Sequence, residues 1–146
     1  MEDVLEEDNE RDIRFRFDEV RTRRFEFNEP DREPEREEFP NFTVRVGFRV
    51  DIDSKIIWVR VIVEATKEDE EIIEIDTETG FKIENLEELR QDDESVQVPD
   101  DFGIKIASLA ISTTRGIIIE KTSGTTLQKV ILPPVDAGVF VNDEND

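Results

Sequence analysis

The sequence predicts an α+β protein in which a four-stranded antiparallel sheet carries one long helix packed on one face. Two observations predict it. Apolar and polar residues alternate with period two through four separate stretches in the first half of the chain, the pattern of strands buried on one side. A single apolar stretch of helical length, Ile104 to Lys121, follows them. Strands followed by a helix, without βα alternation, place the chain in the α+β class.

Residues 1–11 read as an acidic, flexible lead-in, residues 12–140 as one domain and residues 141–146 as an acidic tail. Ile13, Phe15 and Phe17 alternate with Arg14, Arg16 and Asp18, and Phe25 and Phe27 resume the alternation after a phase slip around Val20 to Arg23. That is a long first strand with a bulge. Residues 28–38 are too charged and too broken by proline to pair, so they form a crossover loop ending at Phe39 and Pro40. Phe42, Val44, Val46, Phe48, Val50 and Ile52 define the second strand.

Asp53-Ser54-Lys55 supplies a tight connection to the third strand, with Ile57, Val59, Val61, Val63 and Ala65 on one face and Trp58, Arg60, Ile62 and Glu64 on the other. Residues 67–70 turn the chain into a fourth strand, where Ile73 and Ile75 oppose Glu74, Asp76 and Glu78. Strands two to four form an antiparallel meander. Thr79-Gly80-Phe81 is expected to bend the chain out of the sheet, Asn85 to Leu89 to start a short helix, and residues 90–101 to form a polar loop.

In the long helix Ile104, Ala107, Leu109, Ala110, Ile111, Ile117 and Ile118 spread around most of the circumference, as in a helix covered on two sides. One small domain covers one side. The pattern therefore predicts self-association through Ile104, Leu109, Ile111, Gly116, Ile117 and Ile118. Gly116 costs ~1 kcal/mol relative to Ala, which a close backbone approach would justify. Gly124 stops the helix, and Pro133-Pro134 prevents a regular continuation.

At 146 residues the chain can bury roughly 68–70% of its unfolded surface in one core. The formal charge of -20 disfavours nucleic acid and anionic membrane surfaces, because binding there depends on Lys and Arg releasing counterions. The same charge keeps a protein with exposed apolar surface soluble; adaptation to high salt is the competing explanation. With no Cys there is no disulfide framework, and the amino-terminal residues lack the basic and apolar regions of a signal peptide. No run reads as a membrane span, and a cytoplasmic location is expected.

His, Tyr and Cys are all absent, which removes the side chains most often used for acid–base and thiol chemistry near neutral pH. Carboxylate pairs at Asp51 and Asp53, residues 68–71 and residues 92–94 sit at turns without calcium-loop spacing. No catalytic residue, metal site or cofactor is expected.

The order of elements and several local words resemble the SecB protein-export chaperones over about residues 12 to 140. The words are Val59-Arg-Val-x-Val-x-Ala65, the Ser123-Gly-Thr125 turn, Leu132-Pro-Pro-Val135 and the closing Val139-Phe140. The resemblance implies a homotetramer, a dimer of dimers with long helices sandwiched between two sheets. It also implies an ATP-independent holdase that binds unfolded or precursor polypeptides and passes them to the translocation motor SecA.

By position in that family, Phe39 and Pro40 fall in the crossover loop, and residues 126–132 in the linker flanking the client groove. Phe39, Phe42, Leu127, Val130, Leu132, Val139 and Phe140 also lie in or beside irregular segments, where apolar groups are available to a client. With Pro40 they are the candidate client-binding residues. The family docks SecA through acid on the first and fourth strands; here Glu74 and Asp76 keep acid on the fourth, whereas Arg24 and Asn28 replace it on the first, with Glu26 between them. Glu26, Glu74 and Asp76 are thus the candidate SecA-docking residues. The departure leaves open a dedicated chaperone of one client, such as an antitoxin. A binding module for one folded partner or a small apolar ligand is a further alternative.

Overall fold

A computed structural model describes residues 12–35 and 39–142, so the acidic lead-in and most of the tail lie outside the described residues. Strand β1 (Phe15–Phe27), β2 (Asn41–Asp51), β3 (Ile56–Lys67) and β4 (Glu70–Ile83) form one antiparallel sheet in the order β1-β4-β3-β2. A 3-10 turn (Leu86–Leu89) leads into a small hairpin of β5 (Arg90–Asp92) and β6 (Ser95–Val96). Helix α1 (Asp100–Thr122) then crosses the sheet, and α2 (Gly138–Asn142) closes the chain. This is the α+β architecture of four antiparallel strands under one long helix.

Strand β1 contains two register shifts, between Phe17 and Glu19 and between Thr22 and Arg24, where one bulge was expected. Their effect is on phase. Phe17 pairs with Phe81, Val20 with Thr79 and Phe25 with Ile75, so all three point to the helix side despite their uneven spacing. Two slips are required because Phe17 and Phe25 share a parity that Val20 breaks.

Thr79 to Phe81, expected to leave the sheet, instead continue β4 and pair with both β1 and β3. Phe81 is fully buried, and Gly80 lies beneath the Trp58 indole, where a Cβ would meet Cζ3 at 2.9 Å. Gly80 is therefore a seat for the ring and not a hinge. The expected polar loop at 90–101 holds the β5–β6 hairpin and the start of α1, which begins four residues early. Asp100 and Asp101 suit the positive end of the helix, and Phe102 is buried there.

The core lies between α1 and the two central strands: Ile57, Val59, Val61, Val63 and Ala65 from β3, Ile73, Ile75, Phe81 and Ile83 from β4, and Ile106, Ala107, Ala110, Ile111 and Ile118 from α1. Thr77 and Thr114 share a buried hydrogen bond of 2.8 Å across this layer. Helix α1 has the length and apolar content of a membrane span, contrary to expectation, but nine of its residues are buried within the fold.

The second side of the helix is covered by the chain's own return segment. Gly124, at a φ of 82°, turns the chain after α1. Arg115 then donates to the carbonyls of Leu132 and Pro133, and Val141 lies against Gly103, so residues 127–141 run back along the helix. Ile111 and Ile118, expected at an oligomer interface, lie instead on the sheet-facing side of the helix with Thr114, 2% and 0% exposed. Ile104, Leu109 and Ile117 are half-buried against the core, and Gly116 is exposed with open space around it.

Candidate functional site

Helix α1 packs on the central strands β3 and β4, which leaves the apolar inner faces of both edge strands only partly covered. On β1 this exposes Phe17 and Val20. On β2, Phe42, Val44, Val46 and Val50 are half-buried and Phe48 is 40% exposed. The two edges differ in regularity. Strand β1 is bulged twice, a device that spoils an edge as a template, whereas β2 pairs with β3 over eleven successive residues without a shift. Among the described residues the outward amides and carbonyls of β2 thus form a regular free edge beside an apolar face.

At its far end β2 adjoins an open pocket of about 260 Å³, lined by Phe48, Val50, Val96, Val98, Gly103 and Val141 among others, with Asp100 at its wall. At its near end stands Phe39, which is 42% exposed, and Val139 on α2 and Ile131 on the return segment are similarly open. The crossover loop is tied down at its start, where Thr126 donates its N–H to Glu29 and its hydroxyl to the Pro30 carbonyl.

The candidate client residues divide on burial. Phe39 and Val139 are exposed, and Phe42 and Phe140 are half-buried, so all four can meet a ligand. Leu127, Val130 and Leu132 are 0%, 1% and 2% exposed, and Pro40 is also buried. These four are corrected to packing roles: the return segment spends Leu127, Val130 and Leu132 on the core that α1 and the sheet leave open, and Pro40 is buried where the crossover loop enters β2. Phe48 and Ile131 take their place on the accessible surface. Phe48 was visible in the sequence as a strand residue, but its exposure depends on the helix stopping short of β2.

The outer sheet face is an arginine–carboxylate lattice. Arg60 grips Asp76 through two hydrogen bonds of 2.9 and 2.6 Å, and this bond, more than the simple charge attraction, holds the Asp76 carboxyl below its usual range. Arg24 reaches both Glu26 and Glu74, at 3.2 and 3.3 Å. The three candidate docking acids are therefore each in contact with an arginine. Glu64, Glu71 and Glu74 bring carboxylate oxygens within 4.8 Å of one another at the end of the sheet. The Glu71 carboxyl, though exposed, is pushed up by partial desolvation first and by the neighbouring carboxylates second.

No family model matches the sequence, and no curated protein matches it. Among solved structures, the chain is similar to the SecB-like chaperone Rv1957 of Mycobacterium tuberculosis in complex with a ChAD peptide from the Rv1956 HigA1 antitoxin. That likeness has a TM-score of 0.52 at 11% identity and covers 84% of this chain and 91% of the other. A protein of unknown function from Streptococcus agalactiae is also similar, with a TM-score of 0.41 at 14% identity over 75% of this chain and 88% of that one. The first likeness establishes a SecB-like fold.

Proposed function

We propose that the protein is an ATP-independent holdase that shields extended apolar segments of unfolded or precursor polypeptides. The observation that carries this reading is the coincidence, on β2, of an unbulged free edge with an apolar face that the long helix leaves open. An extended client adds its backbone to that edge whatever its sequence, and lays alternate side chains on the face between Phe39 and Phe48. Each backbone hydrogen bond contributes only ~0.5–1.5 kcal/mol net, so affinity grows with the length and apolar content of the segment. The charge of -20 keeps the loaded complex soluble. Nothing in this mechanism requires catalysis or a cofactor.

The fold supports the reading, and the mycobacterial neighbour's antitoxin peptide supports a polypeptide as ligand. Assembly as a homotetramer built from dimers, with exposed Phe17, Val20 and Ile119 covered between copies, belongs to the same proposal. So does work in the cytoplasm. The engagement of Asp76 by Arg60 and of Glu74 by Arg24 favours a narrower second reading, a chaperone dedicated to one client with weak or no docking to SecA. Breadth separates the two. A general holdase in modest excess suppresses the aggregation of several unrelated unfolded proteins, a dedicated chaperone protects one, and protection of none sinks both.

A further inference from the structure

The outer face also carries a cationic patch that the client surface does not involve. Arg21, Arg23 and Arg49, from β1 and β2, converge on the Glu78 carboxylate of β4 at 3.7, 3.3 and 3.7 Å. Glu78 is 5% exposed, and its Oε1 makes no hydrogen bond. Arg21 and Arg49 also lie over the Trp58 indole, 4.2 and 5.5 Å from the ring centroid. The ring rests on Gly80 and is itself 5% exposed.

One guanidinium would compensate a buried carboxylate, and three are present. Arg21 also forms two hydrogen bonds to Glu19, so three cations face two anions, while all three arginine side chains remain about half exposed. Glu78 and Trp58 hold the guanidiniums in place, and among the described residues Glu19 and Glu78 are the only acids paired with them, which leaves N–H groups for a ligand. Planar forks held in this way match carboxylates in geometry as well as charge.

We propose that Arg21, Arg23, Arg49 and Trp58 form a docking site for an acidic peptide segment of a partner protein. Complementarity is local here. At physiological ionic strength charges more than ~8 Å away are largely screened, so the patch is felt at contact despite the net charge of the chain. The same face limits the ligand to a short segment, because beyond the row of Arg24 and Asp76 it carries Glu26, Glu64, Glu71 and Glu74, which repel a long polyanion such as a nucleic acid. The polarity is opposite to that of an acidic surface that would take a basic partner.

Trp58 is the only tryptophan in the chain, so its fluorescence reads the site directly. The full-length protein is titrated with an acidic Glu–Ser peptide of about ten residues, with the matching Lys–Ser peptide and with inorganic phosphate. The acidic peptide is expected to change the emission saturably, with affinity falling several-fold as salt is raised. Because loss of an arginine leaves Glu78 less compensated, Arg23→Gln and Arg49→Gln are each made in a Glu78→Gln background. Against that background each is expected to weaken the acidic peptide about tenfold with an unchanged circular dichroism spectrum, the loss of one charge-assisted contact. No response to the acidic peptide, an equal response to the Lys–Ser peptide, equal binding of phosphate, or unaltered affinity in both arginine variants overturns the proposal.

Discussion

Arg115 in α1 donates from Nε to the carbonyl oxygen of Leu132 at 2.7 Å, and from its second terminal nitrogen to that of Pro133 at 2.8 Å. A side chain in the helix thereby fixes two peptide groups that belong to no regular element. The link converts an extended, proline-bearing stretch into the cover for one side of α1.

Arg115→Leu keeps much of the packing stem but removes both bonds, and is expected to cost about 1–3 kcal/mol. Urea unfolding measures the loss. Hydrogen exchange should show faster exchange at residues 130 to 132 than in β3.

The burial of Leu127 and the exposure of Phe39 predict opposite mutational behaviour. Leu127→Ala leaves a cavity in the core and is expected to destabilise the protein by ~2–5 kcal/mol. Phe39→Ser removes a side chain already 42% exposed, so the melting temperature should barely move while an unfolded client binds more weakly. Thermal melts and client titrations of the two variants check the pair.

Much of the fold was legible in the sequence because period-two alternation and one apolar helix are local signals. Even the second β1 bulge could be read, since Val20 stands out of phase with both Phe17 and Phe25. The return segment was not legible. Leu127, Val130 and Leu132 follow neither a helical nor a strand period, and their burial depends on Arg115, seventeen residues from Leu132. The β5–β6 hairpin is too short to leave a periodic trace. For the outer face, the alternation puts arginines on the polar side of the strands, but the convergence of three of them on Glu78 depends on the strand order. Of the proposed client surface, the candidate Phe39 came from its place in the loop, whereas the regular β2 edge became visible only once β2 was known to be the outermost strand.

Gly80 should not tolerate a side chain. Gly80→Ala brings a methyl group to 2.9 Å from the Trp58 ring, so the indole must shift, at a cost of about 1–3 kcal/mol. A moved Trp58 emission maximum together with a lowered melting temperature is the expected result.

Acid stability depends on the Arg60–Asp76 pair. The folded-state pKa of Asp76 lies below its unfolded value, chiefly through the hydrogen bond from Arg60, so its stabilisation is present above the unfolded value and lost as pH falls through the folded one. Asp76→Asn should lower stability at neutral pH by on the order of 1 kcal/mol, since Arg60 is about half exposed and screened. The same variant should flatten the decline in stability below about pH 4. Denaturant melts across that range check both.

The central claim is that an extended client lies along the free edge and inner face of β2. Amide hydrogen exchange of the full-length protein, with and without an unfolded client, tests it most directly. The account predicts new protection at every second amide of β2, those not bonded to β3, together with slowed exchange around Phe39 and Val139. A client that binds and suppresses aggregation while leaving the β2 amides unprotected would contradict it.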